Sequence, residues 1–291
     1  MSPEVRLKLQ ALGSELSPAL LQGTSALLAS IAAPRDTVVE ITRDHFYGPD
    51  PRNRLDVFRK GTPVLAPVLV YVHGGGFVMG DKTSAGSPFY DNVGQWAAQQ
   101  GFIGVTMTYR LAPAHRWPSG PEDMSLAVGW LRGHIAEFGG NPEAIFLMGQ
   151  SAGATHVAGY VSQDRFQPRG STGLAGALLI SGIYDALTQP PNQFSAAYYG
   201  EDPAVRAEAS HLAGLVNSKL PLLFSVSEFD PRDFHDQAAQ LSSAWHRQHG
   251  RVPPLEFLFG HNHLSPVQAI GSTVDDLGPR IARFIAAFNP P

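Results

Sequence analysis

The apolar run Ala144-Ile145-Phe146-Leu147-Met148 leads without a break into Gly149-Gln150-Ser151-Ala152-Gly153. A short apolar run of this kind has the composition of a buried strand. A serine between two glycines at its end has the form of a strand-turn-helix elbow, which holds a hydroxyl up at a sheet edge. The glycines have a steric reason, because such a turn strains the backbone and packs strand against helix so closely that a side chain on either flank would collide. A helix starting at Ser151 also points free backbone N–H groups at negative charge forming beside it. Alone, the pentapeptide also occurs in ordinary loops, and the rest of the chain has to discriminate.

Strand-like and helix-like stretches alternate on both sides of this elbow. Val5, Leu9, Leu12 and Leu16 fall on one helical face, and Ser17-Pro18 caps and starts a second helix through Leu20, Leu27, Leu28 and Ile31. These N-terminal helices, within residues 1–33, are expected to pack on the remainder of the chain as a scaffold or a partial cover. An edge hairpin is expected at 37–41 and 54–58, around the turn Asp50-Pro51-Arg52-Asn53. Buried strands are expected at 64–72, 102–109, 144–148, 174–180, 220–226 and 255–259, with helices between them. The last helix is marked by Val274, Leu277, Ile281, Phe284 and Ile285. Residues 184–215 read as irregular, a short cap-like insertion. The expected fold is α/β, a mostly parallel central sheet with helices on both faces, as one domain over residues 1–291.

In an open parallel sheet, ligands bind at the carboxyl ends of the strands. Each chemically suggestive residue falls at such an end: His73-Gly74-Gly75-Gly76, Ser151, Asp230 and His263. A serine is a poor nucleophile near neutral pH unless a base within hydrogen-bond reach takes its proton and a carboxylate orients that base. Ser151, Asp230 and His263 supply those roles in the chain order Ser, Asp, His. A tetrahedral intermediate also needs preorganised donors, and the backbone N–H groups of Gly75, Gly76 and Ala152 are the candidates. His73 precedes the glycines and is read as an anchor of the loop.

Neighbouring residues compete for two of these roles. His261 is the other candidate base. For the acid, Asp230 stands before the Pro231 that ends the strand, whereas Asp233 and Asp236 suit a helix first turn and Glu228 lies within the strand. A metal reading of His261-Asn262-His263 lacks further ligands. No metal or organic cofactor is expected.

The set as a whole resembles a serine esterase of the α/β-hydrolase superfamily, on the branch joining hormone-sensitive-lipase-like carboxylesterases to kynurenine-formamidase-like hydrolases. The matching motifs are His73-Gly74-Gly75-Gly76-Phe77, Tyr109-Arg110-Leu111-Ala112-Pro113, Gly139-Gly140-Asn141-Pro142, the elbow, Glu228-Phe229-Asp230-Pro231 and the closing histidine, over residues 64–264. The resemblance implies an oxyanion hole at Gly75 and Gly76 and a loop support at Tyr109. In the α/β-hydrolases that this chain resembles, a Gly-x-x-His pattern follows the last strand, and Gly260 then implies His263 as the base and leaves His261 on the loop surface or the pocket rim. Gln150, Ala114 and His263-Leu264-Ser265 depart from the lipase-like pattern. Ser151-Ala152-Gly153-Ala154 with His156, and Ser181-Gly182-Ile183-Tyr184-Asp185, look more like the formamidase side. The implied activity is hydrolysis of short-chain or aromatic carboxylic esters through an acyl-enzyme, with arylformamide or amide hydrolysis, or a non-catalytic receptor, as alternatives. Phe77, Met79, Trp117, Phe194, Tyr198, Phe229 and Leu264 are the expected pocket walls.

Composition narrows the partner. Charged residues make up 16% and the formal net charge is −4, which offers no basic footprint for nucleic acid or an anionic membrane. No apolar stretch approaches the ~20 residues of a membrane span. The chain has no cysteine, which excludes disulfides and thiol nucleophiles. A small-molecule ester or amide is the expected partner, a cytoplasmic location is the default, and a homodimer is left open.

Overall fold

Period-two alternation builds the core. In β3 (Ala66–Val72), Val68, Val70 and Val72 face one layer and Leu69 and Tyr71 the other. The same division holds in β5 (Gly140–Gln150) for Ile145 and Leu147 against Phe146 and Met148, and in β6 (Gly176–Ile180) for Ala177 and Leu179 against Leu178 and Ile180. Strands apolar on both sides must be covered on both sides, and these are. The computed structural model describes residues 1–168 and 170–289.

The remaining strands are β1 (Val39–Phe46), β2 (Arg54–Lys60), β4 (Ile103–Met107), β7 (Leu222–Phe229) and β8 (Leu255–Asn262). They join one sheet in the order β1-β2-β4-β3-β5-β6-β7-β8. Only β2 runs antiparallel to its neighbours, β1 and β4. Helices α1 (Pro3–Ala11) and α2 (Pro18–Ala29) precede the sheet; α3 (Asp91–Gln99), α4 (Ser119–His134) and α5 (Ala152–Ser162) connect its first half. The second half carries α6 (Gln193–Tyr199), α7 (Pro203–Glu208), α8 (Leu212–Asn217), α9 (Arg232–His249), α10 (Ser265–Gln268) and α11 (Gly278–Phe288). Buried side chains of α4, α5 and α9 pack on one face, and those of α3 and α11 on the other.

Register decides what meets at the carboxyl edge. Val72 pairs with Gly149 and Gln150 pairs with Ile180, so the chain leaves β3, β5 and β6 side by side, into His73, Ser151 and Ser181. On the next pair, Phe229 lies opposite Asn262, which brings Asp230 and His263 out together.

Two expectations need correction. The first helix does not reach Leu16: it ends at Ala11, Leu12 caps it, and Gly13 turns away at φ 79°. The stretch 184–215 is not irregular but holds α6, α7 and the start of α8. Asn192 caps α6 with a reciprocal bond from Ser195, and Asp202 caps α7 ahead of Pro203. The Ser17-Pro18 start of α2 is as expected, with Ser17 Oγ accepting from the Leu20 amide at 3.2 Å.

Candidate active site

Ser151 occupies the turn between β5 and α5 with φ 57° and ψ −122°, a sparsely populated conformation for a residue with a side chain. Close packing holds it there. A Cβ on Gly153 would stand 2.2 Å from the carbonyl oxygen of Val72, and one on Gly149 would stand 2.4 Å from the backbone of Gly153. The Ser151 amide is tied to Ile180 O at 2.9 Å. Its hydroxyl opens into a cleft of about 600 Å³, walled by residues that include Gly75, Gly76, Ala152 and His263.

Asp230 and His263 form a buried pair, with His263 Nδ1 2.6 Å from Asp230 Oδ1. The other carboxylate oxygen accepts from Ser181 Oγ at 2.7 Å and from the Ser227 amide at 2.6 Å. The imidazole is held by its main chain too, since Gln150 Nε2 donates to His263 O at 2.9 Å, and the Phe234 ring lies 4.2 Å from it, centroid to centroid. With Nδ1 engaged, Nε2 is the free nitrogen. It is buried and has no hydrogen-bond partner among the described residues. No hydrogen bond joins it to Ser151 Oγ.

The loop after β3 faces them. Gly75, at φ 124°, has no room for a Cβ, which would lie 2.0 Å from the carbonyl oxygen of Met79. Among the described residues, none of the amides of Gly75, Gly76 and Ala152 donates to a protein acceptor. His73 is fully buried behind the loop, with Nδ1 2.6 Å from Gly74 O and its ring stacked on Tyr109 at 4.3 Å. Tyr109 donates its hydroxyl to His73 O at 2.9 Å. Burial lowers the His73 imidazole to about 4, so it stays neutral at ordinary pH and serves as packing.

Not every expected wall residue reaches the cleft. Phe77, Met79, Phe194 and Leu264 line it; Trp117, Tyr198 and Phe229 do not. Tyr198 lies beneath Phe77, its ring parallel at 4.5 Å, and its hydroxyl accepts from the Gly120 amide at 3.0 Å. Trp117 packs behind it against Tyr199, Phe166 and His211. Phe229 lies under the Arg6 guanidinium at 5.4 Å. His261 is not at the surface or rim as expected but fully buried, between Ser265 Oγ at 2.9 Å and Asp276 at 3.1 Å. Glu228 turns to Arg6 and the Gly260 amide, each at 2.7 Å, and Asp236 pairs along α9 with Arg232. Asp233, in the first turn of α9, lies on the rim of the cleft.

The alpha/beta hydrolase fold family matches residues 69–217, just over half of the chain. The chain belongs to this family. Among curated relatives, this α/β-hydrolase is 34% identical over 211 residues to the esterase LipC of Mycobacterium tuberculosis, covering 62% of its own length and 50% of that protein. It is 30% identical over 218 residues to the esterase LipQ of the same organism, covering 70% and 50%. The chain thus spans about half the length of these relatives. In fold it is like an esterase of Pyrobaculum calidifontis, with TM-score 0.73, 22% identity and coverage of 99% and 98% of the two chains. It is also like an esterase described as from the bacterial hormone-sensitive lipase family, with TM-score 0.70, 22% identity and the same coverage. Among the described residues, no helix of this α/β-hydrolase is long and apolar enough to cross a membrane.

Ser181, which no sequence motif marks for a role at the site, holds the acid of the pair through its hydroxyl. Its φ of 47°, unusual for a serine, arises from the turn at the end of β6 and leaves no mark in the sequence. The N-terminal segment, expected as a scaffold or a partial cover, lines the cleft with Leu16, Leu21 and Ser25.

Proposed function

We propose that this chain is a serine hydrolase cleaving carboxylic esters of short-chain or aromatic type. The observation that carries the reading is the convergence, in one cleft, of a strained Ser151, an Asp230–His263 pair 2.6 Å apart with Nε2 unpartnered, and three unengaged amides. In this reading Ser151 Oγ attacks the ester carbonyl carbon while His263 Nε2 takes its proton. Asp230 holds the imidazole in the tautomer that leaves Nε2 free and steadies the imidazolium once formed. The carbonyl oxygen, becoming an oxyanion, accepts from Gly75, Gly76 and Ala152. Collapse expels the alcohol, which receives the proton from His263, and leaves an acyl group on Ser151. Water, deprotonated by the same imidazole, then releases the acid and restores the serine.

The relatives, named as esterases, support the ester side of the branch over the formamide side. The whole is read as one domain, with residues 1–33 and 184–215 both contributing to the cleft wall. A cytoplasmic location and a homodimer belong to the same proposal; cell fractionation and light scattering check them. The activity is tested by comparing kcat/KM for aryl esters of graded acyl length with that for an aryl formamide. Short aryl esters are expected to be the faster substrates, and faster formamide turnover would overturn the assignment.

A further inference from the structure

The loop that carries the Gly75 and Gly76 amides leaves β3 at His73 and returns at Gly80. Each peptide unit is planar, so the Gly75 N–H turns with the Gly74 carbonyl and the Gly76 N–H turns with the Gly75 carbonyl. Whatever fixes those two carbonyls therefore aims the amides. Gly75 O accepts from the amides of Val78 at 3.2 Å and Met79 at 3.1 Å. Gly74 O lies against Gly80, where a Cβ would stand 2.5 Å from it, and Gly75 lies against Met79 O in the same manner, at 2.0 Å. The returning segment Met79-Gly80 thus backs both peptide planes.

Arg52, in the turn between β1 and β2, holds that segment from outside the cleft. Its Nη2 donates to Gly80 O at 2.9 Å and its Nε to Tyr109 O at 2.7 Å. Tyr109 in turn donates its hydroxyl to His73 O, so one guanidinium is connected to both ends of the loop. The main chain of Arg52 is fixed as well: its amide donates to Asp50 Oδ1 at 2.8 Å, and Thr108 Oγ1 donates to its carbonyl oxygen. The rigid fork of an arginine can bridge two carbonyls in set directions, which the single ammonium of a lysine does poorly. Arg52 is not among the residues that wall the cleft, so any effect it has on the reaction passes through the loop.

We infer that Arg52 is a positioning residue for the oxyanion hole, acting through Gly80 and Tyr109 to keep the Gly75 and Gly76 amides aimed at the developing negative charge. The inference rests on the ester-hydrolase reading above and adds to it a residue remote from the reacting atoms. Loss of the guanidinium should spare substrate binding and weaken only the stabilisation that the oxyanion receives.

Arg52→Met and Arg52→Lys test it against the wild type, with rates expressed per active site counted by phosphonate titration. In Arg52→Met, kcat on phenyl butanoate is expected to fall about 10- to 100-fold with KM within about twofold. A trifluoromethyl ketone of matching shape separates positioning from packing. Ser151 Oγ adds to its carbonyl carbon, the proton passes to His263 Nε2, and the resulting hemiketal oxygen carries the negative charge. Affinity for this ketone should fall by the same factor as kcat, while affinity for the matching secondary alcohol, which forms no oxyanion, stays as in the wild type. Arg52→Lys keeps the charge but not the fork and should lose about threefold in kcat and in ketone affinity alike; this variant carries the test if Arg52→Met does not fold. Wild-type kcat per titrated site in both variants, whatever happens to their urea midpoints, would overturn this inference alone. So would an equal loss of affinity for ketone and alcohol, which would mark a general collapse of the cleft. Absence of ester turnover in the wild type would overturn the hydrolase reading along with it.

Discussion

Removing the hydroxyl of Ser181 separates the chemistry of the Asp230–His263 pair from the packing around it. The Asp230 carboxylate is buried and receives three donors: His263 Nδ1 at 2.6 Å, the Ser227 amide at 2.6 Å and Ser181 Oγ at 2.7 Å. A charge-assisted hydrogen bond of this kind contributes about 1.5–3 kcal/mol, and its loss leaves a buried oxygen short of a donor. The carboxylate is then freer to turn, and the imidazolium it steadies exists only during the reaction. The deficit should therefore fall on kcat, about 10- to 100-fold, with little change in KM. Two substitutions divide the causes. Ser181→Ala removes the hydroxyl and keeps a side chain at φ 47°, whereas Ser181→Gly removes the hydroxyl and relieves the left-handed conformation, worth about 1 kcal/mol. Steady-state kinetics on an aryl butanoate should show both variants losing kcat alike, while urea unfolding shows the glycine variant to be the more stable. A folded Ser181→Ala protein with wild-type kcat, or restoration of kcat by glycine alone, would refute the reasoning.

Three further outcomes are expected from the same geometry. Phe194 walls the cleft and its ring packs against Gly76, so Phe194→Ala should shift acyl-length preference toward longer chains, read from kcat/KM across a series of aryl esters. Tyr198 lies behind that wall, fully buried, and Tyr198→Ala should instead cost about 4 kcal/mol in urea unfolding. The third concerns acid. Burial away from water lowers His156 and His211 to about 3 and His73 to about 4. The unfolded chain takes up these protons near pH 6.5 and the native protein only near 3 to 4, so the penalty is absent above pH 6.5 and grows as pH falls through that window. At pH 5 each histidine should remove about 2 kcal/mol. The urea midpoint should accordingly drop steeply between pH 7 and pH 5; a flat midpoint would contradict the burial of the three rings.

Much of the frame could be read from the chain because strands apolar on both faces leave few options besides a covered parallel sheet. The positions of Ser151, Asp230 and His263 were marked by strand ends, by glycine and by Pro231. Other features lacked such marks. Trp117, Tyr198 and Phe229 sit near the right loops, but an aromatic residue beside a cleft can equally well fill the layer beneath it, and only side-chain direction separates the two. His261 looks like its neighbour His263 in sequence, yet at the end of β8 its ring goes the other way, to Asp276. Leu16 continues the helical spacing of Val5, Leu9 and Leu12, but the turn at Gly13 takes it off that face and into the cleft wall. The caps of α6 at Asn192 and of α7 at Asp202-Pro203 have no counterpart in the reading of 184–215 as irregular. Their helices were obscured because neither is long enough to show a period.

Covalent trapping tests the central claim most directly. The protein would be incubated with an aryl alkylphosphonate, and the adduct located by intact mass and peptide mapping. A single adduct on Ser151, absent from Ser151→Ala and formed far more slowly in His263→Ala, is the predicted result. An adduct on another residue, or ester turnover undiminished in Ser151→Ala, would contradict the account.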